Sequence, residues 1–178
     1  MKIIMISGKM RHGKDTCAQF IKEELERMDK RVLIIHYADY LKFVLKQYFG
    51  WNGEKNEEGR KLLQTVGTDL IRARQPDFWV DTVAKFLLVA HDQWDYVLIP
   101  DTRFPNEITK MKMMFGIQNA FSLRIDRVDF VPEEATKEQL THPSETALDG
   151  YEFDNYIFNT GDLNALREKI QTYVKTLT

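Results

Sequence analysis

Short unbroken apolar runs alternate along the chain with stretches of helical spacing. Lys2 to Ser7 places Ile3, Ile4, Met5 and Ile6 in succession, the pattern of a strand covered on both faces, as in a parallel sheet. Lys14 to Met28 carries Cys17, Phe20, Ile21 and Leu25 on one side and predicts a helix. Arg31–Tyr37 and Tyr96–Asp101 predict a second and a third strand, with Pro100 tolerated only near the end of the latter. Ala120–Ile125 predicts a fourth strand and Asn155–Phe158 a short fifth. A last helix is predicted over Leu163–Leu177, with Leu163, Leu166, Ile170, Tyr173 and Leu177 at intervals of three or four. This alternation predicts an α/β fold with a mainly parallel sheet.

Two interruptions stand out. A helical insertion, Asp39 to His91, separates the second and third strands, and a loop-rich stretch, Arg127 to Asp154, separates the fourth and fifth. The latter carries Pro132, Pro143 and Gly150 and is acidic, with Asp129, Glu133, Glu134, Glu138 and Glu145. A connection that long is expected to be functional or mobile, and this one looks like a lid with few apolar anchors. Any cation it brings to a reacting anion then comes from Arg124 or Arg127 at its base. No linker is visible, so the 178 residues are expected to form one domain.

Composition narrows the functional classes. Lys and Arg total 25 against 27 Asp and Glu, a net charge of −2 that gives no basis for broad binding to duplex nucleic acid. A single cysteine, Cys17, rules out an internal disulfide, and no apolar run reaches the roughly 20 residues of a membrane span. The N-terminal run is read as a strand, not a signal peptide, and the cytoplasm as the expected compartment. Four scattered histidines, His36 and His91 among them, show no zinc-ligand spacing, and no Ser-His-Asp arrangement is readable.

The segment between the first strand and first helix carries chemistry. Gly8, four residues, then Gly13 and Lys14 is the spacing of a phosphate-binding loop in the required strand–loop–helix setting. Glycines let the backbone curl its N–H groups onto an anion, the helix N-terminus adds positive potential, and Lys14 can reach the outer phosphates of a triphosphate. Asp15 stands where the usual pattern has a magnesium-binding Ser or Thr, and Thr16 follows. Asp15 can meet Mg²⁺ through water or serve simply as a favourable first-turn acid. Lys9, Arg11 and His12 add positive character to the loop.

Other segments complete a pattern. The stretches YADYLK (37–42), GRKLLQTVGTDLIR (59–72), FWV (78–80), DTRFPNE (101–107) and HPSE (142–145), together with the loop, resemble the phage and bacterial deoxynucleoside monophosphate kinase family. More distantly the chain is similar to phosphomevalonate kinases of the animal type, which share the Gly-Lys-Asp loop ending and an Asp-x-Arg motif. Lys-x-Thr, as in Lys14–Thr16, is the form familiar in nucleoside monophosphate kinases. The resemblance implies a P-loop NTPase fold with a five-stranded parallel sheet of order 2-3-1-4-5, helices on both faces, a monophosphate-binding insertion and a lid. It implies ATP as phosphoryl donor, Mg²⁺, a deoxynucleoside monophosphate acceptor, and a monomer or homodimer. It places Asp39 and Lys42 beside the acceptor and the Asn159–Gly161 loop beside adenine. HPSE, with Glu145, is a family mark whose mechanism the sequence does not reveal.

The residues themselves agree with that implication while leaving alternatives open. Holding a monophosphate calls for arginines with forked donors. Arg60, Gln64 and Gly67 fall within roughly a 60° arc of a regular helix, with Leu63, Val66 and Leu70 turned to the core. Gly67 would admit a ligand or another backbone. Arg72 and Arg74 follow at a helix end, where arginine is favourable even without a ligand. Trp79 is either a base-stacking ring or core. Asp39 is either at the acceptor or a helix cap. Asp101 ends an apolar strand, the position of a magnesium-orienting acid, and Arg103 two residues on can bind phosphate or phosphoryl; Glu107 can instead hold Arg103 in an ion pair. His142 and Ser144 cap a helix or line the site. The expected activity is γ-phosphoryl transfer from ATP to a deoxynucleoside monophosphate. The rivals are a kinase of another phosphorylated small molecule and a P-loop switch or ATPase without a second small-molecule site.

Overall fold

A computed structural model describes residues 1–128, 130 and 136–177. Five strands, β1 (Lys2–Ser7), β2 (Val32–Ile34), β3 (Tyr96–Ile99), β4 (Ala120–Asp126) and β5 (Asn155–Phe158), form one parallel sheet in the order β2-β3-β1-β4-β5. In the central register Ile4 lies opposite Leu98 on one side and Phe121 on the other.

Both faces of the sheet are covered, which is why β1 reads as a continuous apolar run. Ile3 and Met5 point into one core, shared with Leu45, Val80, Leu87, Ile108 and Met111; Ile4 and Ile6 point into the other, shared with Ile21, Leu25, Leu166 and Ile170. All four β1 side chains are fully buried, and burying each such side chain is worth about 1.5–3 kcal/mol. The first core is roofed by α2 (Ala38–Tyr48), α4 (Phe78–Val89) and α5 (Pro105–Phe115), the second by α1 (Lys14–Glu26) and α8 (Leu163–Lys175). Between α2 and α4 lie α3 (Glu57–Gln64) and a π-helical continuation, Thr65–Arg72. Two short helices, α6 (Lys137–Thr141) and α7 (Pro143–Thr146), sit between β4 and β5.

Several sequence expectations shift. β2 stops at Ile34, not Tyr37: the Ile35 N–H still donates to the Leu98 carbonyl, but beyond it the N–H groups leave the ladder, His36 donating to Asp39, and Tyr37 and Ala38 to Asp101. Leu70 is exposed, since a π-turn carries more residues than the 3.6 assumed for the polar arc, while Val66 is buried as expected. Leu163 is also exposed, at the first turn of α8 beside its N-cap Asp162. The lid-like stretch is better anchored than its composition suggests, because Leu148 and Phe153 belong to the first core. Asp129, Pro132, Glu133 and Glu134 of that stretch lie outside the described residues. Among the described residues, no helix is long and apolar enough to cross a membrane.

Candidate active site

All five strands end on the same edge, so parallel order gathers Gly8, His36, Asp101, Arg127 and Asn159 at one mouth. At its centre the Gly8–Gly13 loop joins β1 to α1. A Cβ on Gly8 would sit 2.4 Å from the Ile125 carbonyl oxygen, so only glycine lets the loop pass β4. Gly13 takes a left-handed φ of 93° at the N-cap of α1. The Asn159 side-chain amide donates to the His12 carbonyl at 3.0 Å, fastening the loop to the end of β5. Gly161 follows in a left-handed turn.

Lys14 is 9% exposed and its Nζ donates to the Lys9 carbonyl at 2.8 Å. Burial first, then the neighbouring Arg103 charge, pulls its pKa down to about 7. His12 is buried with Nδ1 accepting the Arg127 N–H at 3.0 Å. Burial outweighs the attraction of Asp126 and lowers its pKa, so His12 is a neutral scaffold group, not a phosphate donor through Nδ1. Lys9 pairs with Asp149, and Arg124 with Asp126 at 2.9 Å while reaching Ser7. Arg127 stacks over Phe130 at 4.1 Å. None of Lys9, His12, Thr16, Arg124, Arg127, Asn159 or Gly161 lines the cleft. Arg124 and Arg127, the cations expected at the reacting anion, thus lie off the cleft wall, whereas Arg103 lies on it and its charge reaches Lys14.

The cleft measures about 470 Å³ and runs from the phosphate loop to the helical insertion. Lys14 and Asp15 wall its loop end, Asp101, Arg103 and Glu145 its middle, and Lys42, Arg60, Gln64, Gly67, Arg72 and Trp79 its far side. Two arginines here are held by buried carboxylates. Arg72, 12% exposed in its side chain, meets Glu107, 1% exposed, at 2.6 Å and stacks on Phe104 at 4.0 Å. Arg103 meets Glu145 at 2.6 Å. The alternative of an Arg103–Glu107 ion pair is not met: the second Glu107 oxygen is taken by the Arg103 and Phe104 backbone N–H groups, which lead into α5, and its first by Arg72. Burial raises the Glu107 pKa and Arg72 opposes it. Arg60 has no ion pair among the described residues, nor has Lys55 beside it on the wall.

Other candidates change character. Asp39 does not line the cleft; it accepts the His36 N–H and the Lys42 ammonium, the cap-like role kept open above, although α2 itself starts after Tyr37. Trp79 is 3% exposed and donates its indole N–H to the Gly67 carbonyl at 2.9 Å, so it is a wall and not an open stacking platform. The space left by Gly67 admits Leu41: a Cβ there would sit 2.6 Å from Leu41 Cδ2. His142 caps α7 by accepting the Ser144 N–H, which gives HPSE a structural basis and delivers Glu145 to the loop.

Sequence reasoning set His36 aside, yet it lines the cleft between Asp15 (3.6 Å) and Asp39 (3.4 Å), and its pKa is raised, first by its bond to Asp15. Its place at a strand's carboxyl end, next to the YADYLK segment, was the available signal. Lys55 offered none, lying outside every motif. Among the described residues no group of three or more His, Cys, Asp or Glu side chains is set to hold an ion. Kinase Mg²⁺ typically needs only one or two carboxylates, water and substrate phosphates. Asp15, exposed at the loop, fits that role, and so does Asp101, whose two oxygens each accept one backbone N–H and keep further acceptor capacity. Thr16 is not among the residues of the cleft wall.

Comparison with known proteins follows the same lines. The sequence profile of the deoxynucleotide monophosphate kinase family matches residues 29–170. The chain is 31% identical over 120 residues to the deoxynucleotide monophosphate kinase of Enterobacteria phage T4, covering 66% of this chain and 46% of that one. It is 28% identical over 134 residues to a phosphomevalonate kinase of Drosophila melanogaster, covering 70% of this chain and 67% of that one. The fold is similar to that of the Mycobacterium tuberculosis APS kinase, with a TM-score of 0.54 at 12% identity over 99% of this chain and 96% of the other. That enzyme has also been solved in complex with AMPPNP and APS.

Proposed function

The chain belongs to the deoxynucleotide monophosphate kinase family, and from that premise we propose that it transfers the γ-phosphoryl group of ATP to a deoxynucleoside 5′-monophosphate. The observation that carries this reading is the continuity of the cleft. One cavity joins a phosphate loop to a second cationic wall, Arg60 with Lys42 and Lys55. A nucleotide-binding switch or simple ATPase has no use for that second wall.

In this reading the loop amides and Lys14 hold the donor phosphates, and Arg60 and Lys42 hold the acceptor phosphate. Arg103, between them, meets the group in transfer. Gln64, Thr68 and the Trp79 wall bound the nucleoside. Asp15 and Asp101 would hold Mg²⁺ through water, and the ion would neutralise charge on the donor phosphates. The acceptor oxygen is already anionic, so no general base is required. The work of the protein is alignment, charge neutralisation and exclusion of water. Residues 39–91 act as the acceptor-binding insertion and 127–154 as the lid of a single kinase domain.

A coupled assay of ADP release against eight ribo- and deoxyribonucleoside monophosphates, with phosphomevalonate as a ninth acceptor, tests the proposal. A deoxynucleotide should give the highest kcat/KM. Turnover of phosphomevalonate alone would replace this reading with the one favoured by the Drosophila relative and by the closed face of Trp79. ATP consumption with no acceptor phosphorylated would rule out both.

A further inference from the structure

The Glu145 carboxylate stands where a phosphate would be at home. One oxygen accepts the Met10 N–H, inside the phosphate loop, at 2.9 Å, and the other faces Arg103 Nη1 at 2.6 Å. The side chain is 5% exposed, on the cleft wall, with Lys14 near enough to sense its charge. A loop amide and an arginine converging on one anion, with the phosphate-loop lysine nearby, form the donor set of a phosphoryl site. Here the chain supplies the anion itself.

The placement is not incidental. The His142 cap fixes the start of α7, and Leu148, two residues past the end of α7, is buried in the core, so the carboxylate is delivered by an anchored turn. Arg103 also has other acceptors, the Ser144 carbonyl at 3.3 Å and the Gly8 carbonyl at 3.5 Å. A merely structural ion pair would need Arg103 alone. The Met10 contact adds a loop donor that a bound phosphate requires.

We infer that Glu145 is a positioning residue that keeps the Met10 amide and Arg103 converged on the seat of the transferred phosphoryl group, and that it yields this seat to the terminal phosphate of the nucleoside triphosphate. The inference rests on the kinase reading above for the identity of the entering anion. No covalent bond changes; Arg103 and the amide exchange one anion for another. A carboxylate and a phosphate oxygen repel each other in one pocket, so Glu145 lowers affinity while holding its donors preorganised.

Calorimetric titration of AMPPNP with Mg²⁺, and of inorganic tripolyphosphate alone, into wild type, Glu145→Ala and Glu145→Gln tests this, with thermal melts to confirm folding. Glu145→Ala should bind both probes about tenfold more tightly. Glu145→Gln should gain less than Glu145→Ala, because its amide oxygen still accepts from one of the two donors and must be displaced. A structural support would give the opposite sign, so unchanged or weaker binding, or no binding by any variant, overturns the inference. Should the variants not fold, the wild-type structure with tripolyphosphate decides. A phosphate oxygen against Met10 and Arg103 with Glu145 displaced supports it; Glu145 still bridging them overturns it. The two readings fail separately. Tighter tripolyphosphate binding with no acceptor phosphorylated in the panel removes the kinase reading alone. An active kinase whose Glu145→Ala variant binds no tighter removes this one alone.

Discussion

Two arginines on the cleft wall are predicted to respond differently to the same truncation. Arg60 pairs with no carboxylate among the described residues, so Arg60→Ala should leave the melting temperature near wild type. It should raise the acceptor KM about tenfold with the ATP KM little changed, as expected for one lost charge-assisted contact. Arg72→Ala removes the partner of a carboxylate that is 1% exposed. Breaking a buried pair from one side costs about 3–5 kcal/mol, so the dominant effect should be on stability, read by denaturant unfolding. If Arg60→Ala moves only the ATP KM, the assignment of the far wall to the acceptor is wrong. The sequence placed both arginines at the site but could not separate them. What divides them is Glu107, 35 residues from Arg72, and nothing local in the chain announces that pairing.

At the scale of elements, the helical insertion shows where periodicity stops informing. Arg60, Gln64 and Gly67 do share the cleft wall, as the arc predicts, but the helix changes to π-geometry at Thr65, and Leu70 is exposed instead of buried. Gly67 lets Leu41 of α2 and the Trp79 indole close against the π-turn. Gly67→Ala would push Leu41 and α2 outward. The gain in helix propensity and the overpacking nearly offset each other, leaving a loss of about 1 kcal/mol. The acceptor KM should rise several-fold with ATP binding unaltered, since α2 and the π-turn both wall the side proposed for the acceptor. Asp154, just before β5, ties three elements by accepting from Ser122 N (2.7 Å), Ser122 Oγ and Lys112. Burial pushes its carboxyl up, yet these bonds together hold it below the usual range. A depressed folded pKa stabilises above the unfolded value and is lost as pH falls through the folded one. Asp154→Asn should therefore cost about 1 kcal/mol at pH 7, discounted for partial exposure. The gap to wild type should close as pH falls below about 4. A gap independent of pH would mean that the variant disturbs packing and not charge.

For the whole molecule, the sheet and phosphate loop were legible because they rest on local signals: continuous apolar runs, and glycines at the ends of one loop. The mouth at the strands' carboxyl edge follows from parallel order. The internal wiring across it was not legible. The bonds Arg103–Glu145, Arg127–His12 and Asn159–His12 join residues 42 to 147 positions apart, and side chains meet over such distances only after the sheet has assembled. This wiring makes closure a property of the whole chain. In the free protein the loop, α7 and the turn between β3 and α5 share Glu145, while the insertion reaches the same cleft from the other side. A bisubstrate analogue, adenosine linked through phosphates to a deoxynucleoside, would place negative charge along the entire cleft and give both sides a common partner. Hydrogen exchange should then slow together in residues 38–72 and 136–147, while the β-strands and the core-anchored stretch around Leu148 and Phe153, already slow in the free protein, change little. AMPPNP alone should protect the phosphate loop without slowing 38–72, because Arg60 and Lys42 would have no anion to meet. If 136–147 is as protected in the free protein as the strands, or stays unprotected with the analogue bound, those residues do not close over the cleft, and water must be excluded by the insertion alone.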